Sequence, residues 1–229
     1  MSRRLVLFDI DGTLLSAGGI SARALASTLV EAFGTAGPME GYDYSGKTDP
    51  LIVRELMGSA GFSQAEIDRR MPSTLALYER RLTAALRPEH VTPKPGIGRL
   101  VKALADEPSV TLGLLTGNLE PCARLKLGPL SLNDHFGFGA FGSDHEDRHR
   151  LPAVAVERAL VATGHTFLGK NVVVVGDSIH DVRCGRDLGV RAVAVASGKT
   201  KMETLAAESP DALLGDCSDT SASLSAILG

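Results

Sequence analysis

Two stretches of this chain run from pure aliphatics straight into carboxylates. Residues 5–8 lead into Asp9-Ile10-Asp11-Gly12-Thr13, and residues 172–175 lead into Gly176-Asp177-Ser178-Ile179-His180-Asp181. Each run has the continuous apolar character of a strand buried on both faces. At the C-terminal edge of an open parallel sheet, where ligands sit, Asp9 and Asp11 can address one locus. Carboxylates gathered there repel one another unless a cation neutralises them. Hard oxygen donors of this kind suit Mg²⁺, which also binds substrate phosphate. A carboxylate can attack phosphorus and form an aspartyl-phosphate, and a second carboxyl can protonate the leaving oxygen and later activate water. An isolated Asp-Gly pair is a common turn; the strand context and the second acidic stretch lift this one above that reading. The pattern implies metal-assisted phosphoryl transfer.

A third apolar stretch, residues 110–115, ends in Thr116-Gly117-Asn118. A hydroxyl and neighbouring backbone N–H groups at a sheet edge can hold phosphate, although a helix-capping turn explains the triplet equally well. Phosphoryl transfer also calls for a fixed cation to balance charge. Arg148, Arg150 and Lys170 are the candidates between the second and third stretches. Lys170 immediately precedes a strand and belongs at the opposite edge. Arg148 and Arg150 precede a helix beginning near Pro152, and either can reach the site; Arg148 is favoured.

The elements that must position these groups alternate along most of the chain. After the first strand, helical spacing runs over 21–33 with Ser21 as N-cap, over 50–57, and over 63–86, where Ser63 and Glu66 form a capping-box pattern. Nothing between 20 and 90 reads as a strand. Helices are then expected at 98–105, 120–127, 152–163, 181–188 and 220–227, and strands at 110–115, 139–142, 172–175, 192–196 and 212–214. This order predicts an α/β fold: a doubly wound parallel, Rossmann-like sheet with an all-α cap domain inserted after the first strand. The catalytic core is expected at 1–17 and 93–229 and the helical cap at 18–92. Gly18-Gly19 and Pro93 to Gly96 serve as hinges.

Bulk properties narrow the partners. A formal net charge of −3 gives no electrostatic basis for binding nucleic acid or an anionic membrane. Hydrophobic content of 44% and charged content of 22% are those of a globular protein. No stretch approaches the roughly 20 apolar residues of a membrane span, and the apolar run after Arg3-Arg4 is cut short by Asp9 and Asp11, unlike a signal peptide. Cys122, Cys184 and Cys217 are widely spaced and odd in number, which favours a reducing cytoplasm over a disulfide framework or a zinc site. The expected partner is a small phosphorylated metabolite, with oligomeric state open.

Taken together, Asp9-Ile10-Asp11-Gly12-Thr13, Thr116-Gly117-Asn118, the basic residue in Asp147-Arg148-His149-Arg150, and Gly176-Asp177-Ser178-Ile179-His180-Asp181 resemble the haloacid dehalogenase superfamily over nearly the whole chain. The resemblance implies Asp9 as nucleophile and Asp11 as general acid/base. It further implies Thr116 as a phosphoryl ligand and Arg148 as the basic residue. Mg²⁺ would be held by Asp177, the Asp9 side chain and the Asp11 carbonyl, with Asp181 orienting metal-bound water or the basic residue. Thr13, Gly117 and Asn118 join the substrate-binding set. The basic position is usually a lysine followed by proline, and here it is arginine. The second aspartate, Asp11, is absent from the family's dehalogenases, which points to phosphate-ester hydrolysis. Tyr42 to Asp49 resembles the cap loop that meets substrate in phosphoglycolate-phosphatase-like members, with Lys47 a contact for an anionic leaving group; a solvated Lys47 beside an N-cap at Thr48 or Asp49 is the plainer alternative. The expected activity is a Mg²⁺-dependent phosphatase acting on a small phosphomonoester. The alternatives are a phosphomutase of the same superfamily or a non-catalytic phosphate-binding or regulatory protein. A receiver module is too short and lacks the insert.

Overall fold

A computed structural model describes residues 3–229. The chain opens with β1 (Arg4–Phe8) and a short β2 (Leu15–Ser16), followed by three helices: α1 (Ile20–Phe33), α2 (Asp49–Ser59) and α3 (Gln64–Ala85). A short β3 (Thr92–Pro93) leads to α4 (Ile97–Ala105), β4 (Val110–Leu115), α5 (Glu120–Leu127), β5 (Gly139–Ala140) and α6 (Leu151–Thr163). The remainder is β6 (Val172–Gly176), α7 (Ile179–Cys184), β7 (Arg191–Val195), α8 (Met202–Ala207), β8 (Ala212–Leu214) and α9 (Thr220–Leu228).

Six strands form one sheet in the order β5-β4-β1-β6-β7-β8, every pair parallel. Leu5, Val6, Leu7 and Phe8 are fully buried, as expected where helices cover both faces of a parallel sheet. The chain starts at β1 in the middle, builds outward through β4 and β5, then returns to β6 on the other side of β1. That reversal makes the C-terminal ends of β4, β1 and β6 the topological switch point, the place where open α/β sheets bind ligands. The three chemistry-bearing stretches follow those three strands.

The helical segment after β2 is tied to the sheet at both crossings. Leu15 pairs with Pro93 and Ser16 with Thr92 in a two-stranded antiparallel ribbon that sequence periodicity did not reveal. Gly18 and Gly19 lie in the left-handed region, at φ 57° and 75°, which glycine reaches without a Cβ clash. Gly19 precedes α1 and no side chain caps it, so Ser21 sits within the first turn and is not the N-cap expected from the sequence. The capping box of α3 is present, Ser63 accepting from Glu66 N and the Glu66 carboxylate accepting from Ser63 N. Pro72 lies inside α3. Leu25, Leu29 and Phe33 of α1 and Ile67, Tyr78 and Leu82 of α3 share one apolar cluster with Val6 and Phe8 of β1 and Leu100 of α4. Helix α7 ends at Cys184, short of the expected 188, where Gly185 intervenes before a separate 3₁₀ turn at Arg186–Leu188. Among the described residues no helix is long and apolar enough to cross a membrane.

Candidate active site

β1 delivers Asp9 at the centre of the sheet's C-terminal edge. The residue is 5% exposed, and its Oδ1 accepts from Arg148 Nη2 at 2.9 Å. Gly12 turns the chain away at φ 95°. A Cβ there would stand 2.4 Å from Asp177 Oδ2, so only glycine lets the first loop approach the third so closely. Gly198 closes the same corner, since a Cβ on it would lie 1.6 Å from that oxygen.

Asp9, Asp177 and Asp181 are all buried, and each offers a carboxylate oxygen within 4.8 Å of the others. Burial first, and repulsion by Asp181 second, pushes the Asp9 carboxyl well above the usual carboxylate range. Asp177 rises further, through burial and then the charge of Asp9. Two carboxylates so destabilised as anions form a donor set that calls for a cation. Asp181 is committed elsewhere: its Oδ2 accepts from Ser178 N at 2.9 Å and Ser178 Oγ at 2.6 Å, and its Oδ1 pairs with Arg148. The residues therefore fit a hard divalent ion held by Asp9 and Asp177, with Asp181 fixing the arginine.

Arg148 is 4% exposed and occupies the centre of a network. Nη2 donates to Asp9, Asp181 and Leu115 O, and Nη1 to Gly46 O at 3.2 Å. Arg150 is exposed, and Lys170 bonds Val190 O and Asp211 at the far edge. Of the two arginines, Arg148 is the one the fold brings against Asp9.

Thr116 is fully buried and accepts from Asn118 Nδ2 at 2.8 Å, which leaves its own hydroxyl hydrogen to donate. Asn118 Nδ2 also donates to Asp11 Oδ2 at 2.8 Å. Gly117 is pressed beneath the loop before α2, where a Cβ would come within 2.0 Å of Lys47 O. Thr13 departs from its expected place: its hydroxyl donates to Asp177 Oδ1 at 3.1 Å, and it does not line the cavity. Its contact orients one carboxylate of the acidic cluster. Lys47 lines the cavity, but its ammonium is held by Glu55 Oε2 at 2.6 Å and Tyr42 Oη at 3.2 Å. Thr48 is the N-cap of α2 and reaches across to Glu146 O at 2.6 Å.

The sequence reading passed over one residue here. Lys126 on α5 is 2% exposed, donating to Asp11 Oδ2 at 2.7 Å and Asn118 Oδ1 at 2.6 Å. A trace of it is visible in the sequence: Lys126 shares the buried helical face of Cys122, Ala123 and Leu127, where a lysine is rarely buried unless paired. Cys122, Cys184 and Cys217 are buried free thiols, and His145 and His149 are exposed.

These groups surround a cavity of about 330 Å³ between the strand ends and the helical segment, lined by Asp9, Asp11, Thr116, Arg148, Asp177 and, from the helices, Leu25, Ile52 and Tyr78. Chains of known character resemble this one. A phosphoglycolate phosphatase of Photorhabdus laumondii is 25% identical over 94% of this chain and 90% of its own. One from Agrobacterium fabrum is 28% identical over 93% and 88%. A hydrolase from Pseudomonas syringae shares the fold at a TM-score of 0.68 and 20% identity, covering 99% of each chain. The profile described as haloacid dehalogenase-like hydrolase matches residues 6–195, a span that takes in all four chemistry-bearing stretches, and the chain belongs to that family.

Proposed function

We propose that the protein hydrolyses a small phosphomonoester in two steps, with Asp9 as nucleophile and Mg²⁺ as its metal. The observation that carries this reading is the buried pair Asp9 and Asp177, whose charges are disfavoured by burial and by each other and become compatible only with a cation and an electrophile beside them. Asp9 Oδ1 is held by Arg148, which leaves Oδ2 to attack phosphorus. The Asp9–phosphorus bond forms as the bond to the leaving oxygen breaks, and Asp11 gives that oxygen a proton. Asp11 then takes a proton from water as the water attacks the phosphoaspartate, releasing phosphate and restoring Asp9.

Mg²⁺ bound between Asp9 and Asp177 would neutralise charge on the phosphoryl oxygens. The Thr116 hydroxyl and the Gly117 N–H, neither committed as a donor to another described residue, are placed to hold the phosphoryl group. Asn118 and Lys126 bracket the Asp11 carboxylate and fix its rotamer. The helical segment, residues 18–92, acts as a cap that shields the reacting centre from bulk water. Phosphoglycolate is one substrate to try, since that is what the named relatives act on.

The test is phosphate release from a panel of phosphomonoesters with Mg²⁺, with chelator, and with Asp9→Asn. Release should require Mg²⁺ and fall by at least about a thousandfold in the variant. Turnover by Asp9→Asn near the wild-type rate would remove the covalent step.

A further inference from the structure

The cavity also contains a carboxylate for which the hydrolytic steps have no use. Asp49 opens α2, is 7% exposed and lines the cavity. It is clamped to the loop that carries Thr116: its N–H donates to Gly117 O at 2.8 Å, and its Oδ2 accepts from Leu119 N at 2.9 Å. Its Oδ1 has no hydrogen-bond partner among the described residues. Burial pushes this carboxyl up to about 6, and the charge of Lys126 opposes that rise.

The cations near it are spent. Lys126 attracts Asp49 without forming an ion pair with it, and two of its three N–H donors go to Asp11 and Asn118. Lys47 is neutralised by Glu55. Lys94 and Lys199 line the same cavity, Lys94 Nζ donating to Ser197 O at 2.5 Å, but neither is among the charges that act on Asp49. The wall around Asp49 otherwise offers the apolar Leu25 and Ile52 and the buried Tyr78.

At Asp49 the wall therefore has a carboxylate acceptor and one spare N–H, and no cation other than Lys126 acts on Asp49 there. A substrate hydroxyl both donates and accepts, and so satisfies both. A carboxylate only accepts, and its charge would confront Asp49. We propose that Asp49 is a specificity-determining residue that accepts a hydrogen bond from a hydroxyl of the leaving alcohol, so that the substrate is the phosphate ester of a polyhydroxylated alcohol and carboxylate-bearing esters are disfavoured. This rests on the phosphatase reading given above. It also separates the chain from phosphoglycolate, whose leaving group carries a carboxylate.

The test compares glycerol 3-phosphate with phosphoglycolate, in wild type and in Asp49→Asn, by kcat/KM. Asparagine keeps a carbonyl for Leu119 N–H and removes the charge. The wild type should favour glycerol 3-phosphate by at least about tenfold, and Asp49→Asn should compress that ratio about tenfold. A wild type that prefers phosphoglycolate, or a variant that lowers both esters equally, would overturn the proposal. The wild-type ratio stands as a test even if the variant does not fold. If no ester is turned over, p-nitrophenyl phosphate included, the phosphatase reading fails by itself. Calorimetric titration of the same two esters then decides the role of Asp49. Tighter binding of glycerol 3-phosphate that the variant loses supports it, and equal or tighter binding of phosphoglycolate overturns it.

Discussion

Asp177→Asn should make the metal-free protein more stable while making it inactive. Asp177 is 5% exposed and sits against Asp9 and Asp181, and its carboxyl is pushed up from 3.8 to about 8. A group whose folded-state value lies above its unfolded value contributes most below the unfolded value. That contribution is lost as pH rises through the folded value, here between about pH 4 and pH 8. Each tenfold change in proton affinity is worth about 1.4 kcal/mol, so the whole displacement corresponds to roughly 6 kcal/mol. Repulsion between Asp9 and Asp177 must be counted once for the two residues, which leaves about 2–3 kcal/mol for Asp177 alone. Asparagine preserves the acceptor for Thr13 Oγ1 and fits the space between Gly12 and Gly198, so little else changes. In chelator at pH 8 the variant should melt about 4–10 °C above wild type in a chain of this length. The gap should close toward pH 5, where wild-type Asp177 is already protonated. Saturating Mg²⁺ should raise the wild-type melting temperature at pH 8 and leave the variant nearly unmoved. Scanning calorimetry across pH 5–8.5, with chelator and with MgCl₂, reads all of this. A variant that melts below wild type in chelator at pH 8 would refute the electrostatic argument. Equal Mg²⁺ stabilisation of both proteins would refute Asp177 as a ligand.

Other perturbations test the surrounding structure. Lys126→Met removes the ammonium that holds Asp11 and Asn118; kcat should fall about 10–100-fold. Stability should drop by about 1–3 kcal/mol, because Asn118 Oδ1 is left buried without a donor, and steady-state rates with a thermal melt check both. Gly117→Ala drives a Cβ against Lys47 O and should cost about 1–3 kcal/mol of overpacking. The helical segment is then forced away from the strand ends, so KM should rise more than kcat falls. An unchanged KM with normal stability would show that the two loops separate freely.

Periodicity was enough to read the strands of the main sheet and most of its helices, though not α8 at Met202–Ala207 or the end of α7. The strands at Leu5, Val110 and Val172 announce themselves because burial on both faces leaves no polar alternation to confuse with a helix. The same runs end in Asp9, Thr116 and Asp177, so the strand end and the chemistry are one signal. The spacing to the following helix admits either Arg148 or Arg150, and only the fold sets the buried Arg148 against Asp9 apart from the exposed Arg150. Tertiary structure decided what depends on groups far apart in sequence. Lys126 meets Asp11 from 115 positions away, and no local pattern encodes that partner. Thr13 looks like a phosphate ligand until Asp177, 164 positions later, is seen to take its hydroxyl. Lys47 looks free until α2 brings Glu55 beneath it, and Asp49 looks like an ordinary helix start until Gly117 and Leu119 bury it in the cavity. Local periodicity is a property of neighbouring residues, whereas charge pairing and desolvation are properties of whatever the fold places within a few ångströms.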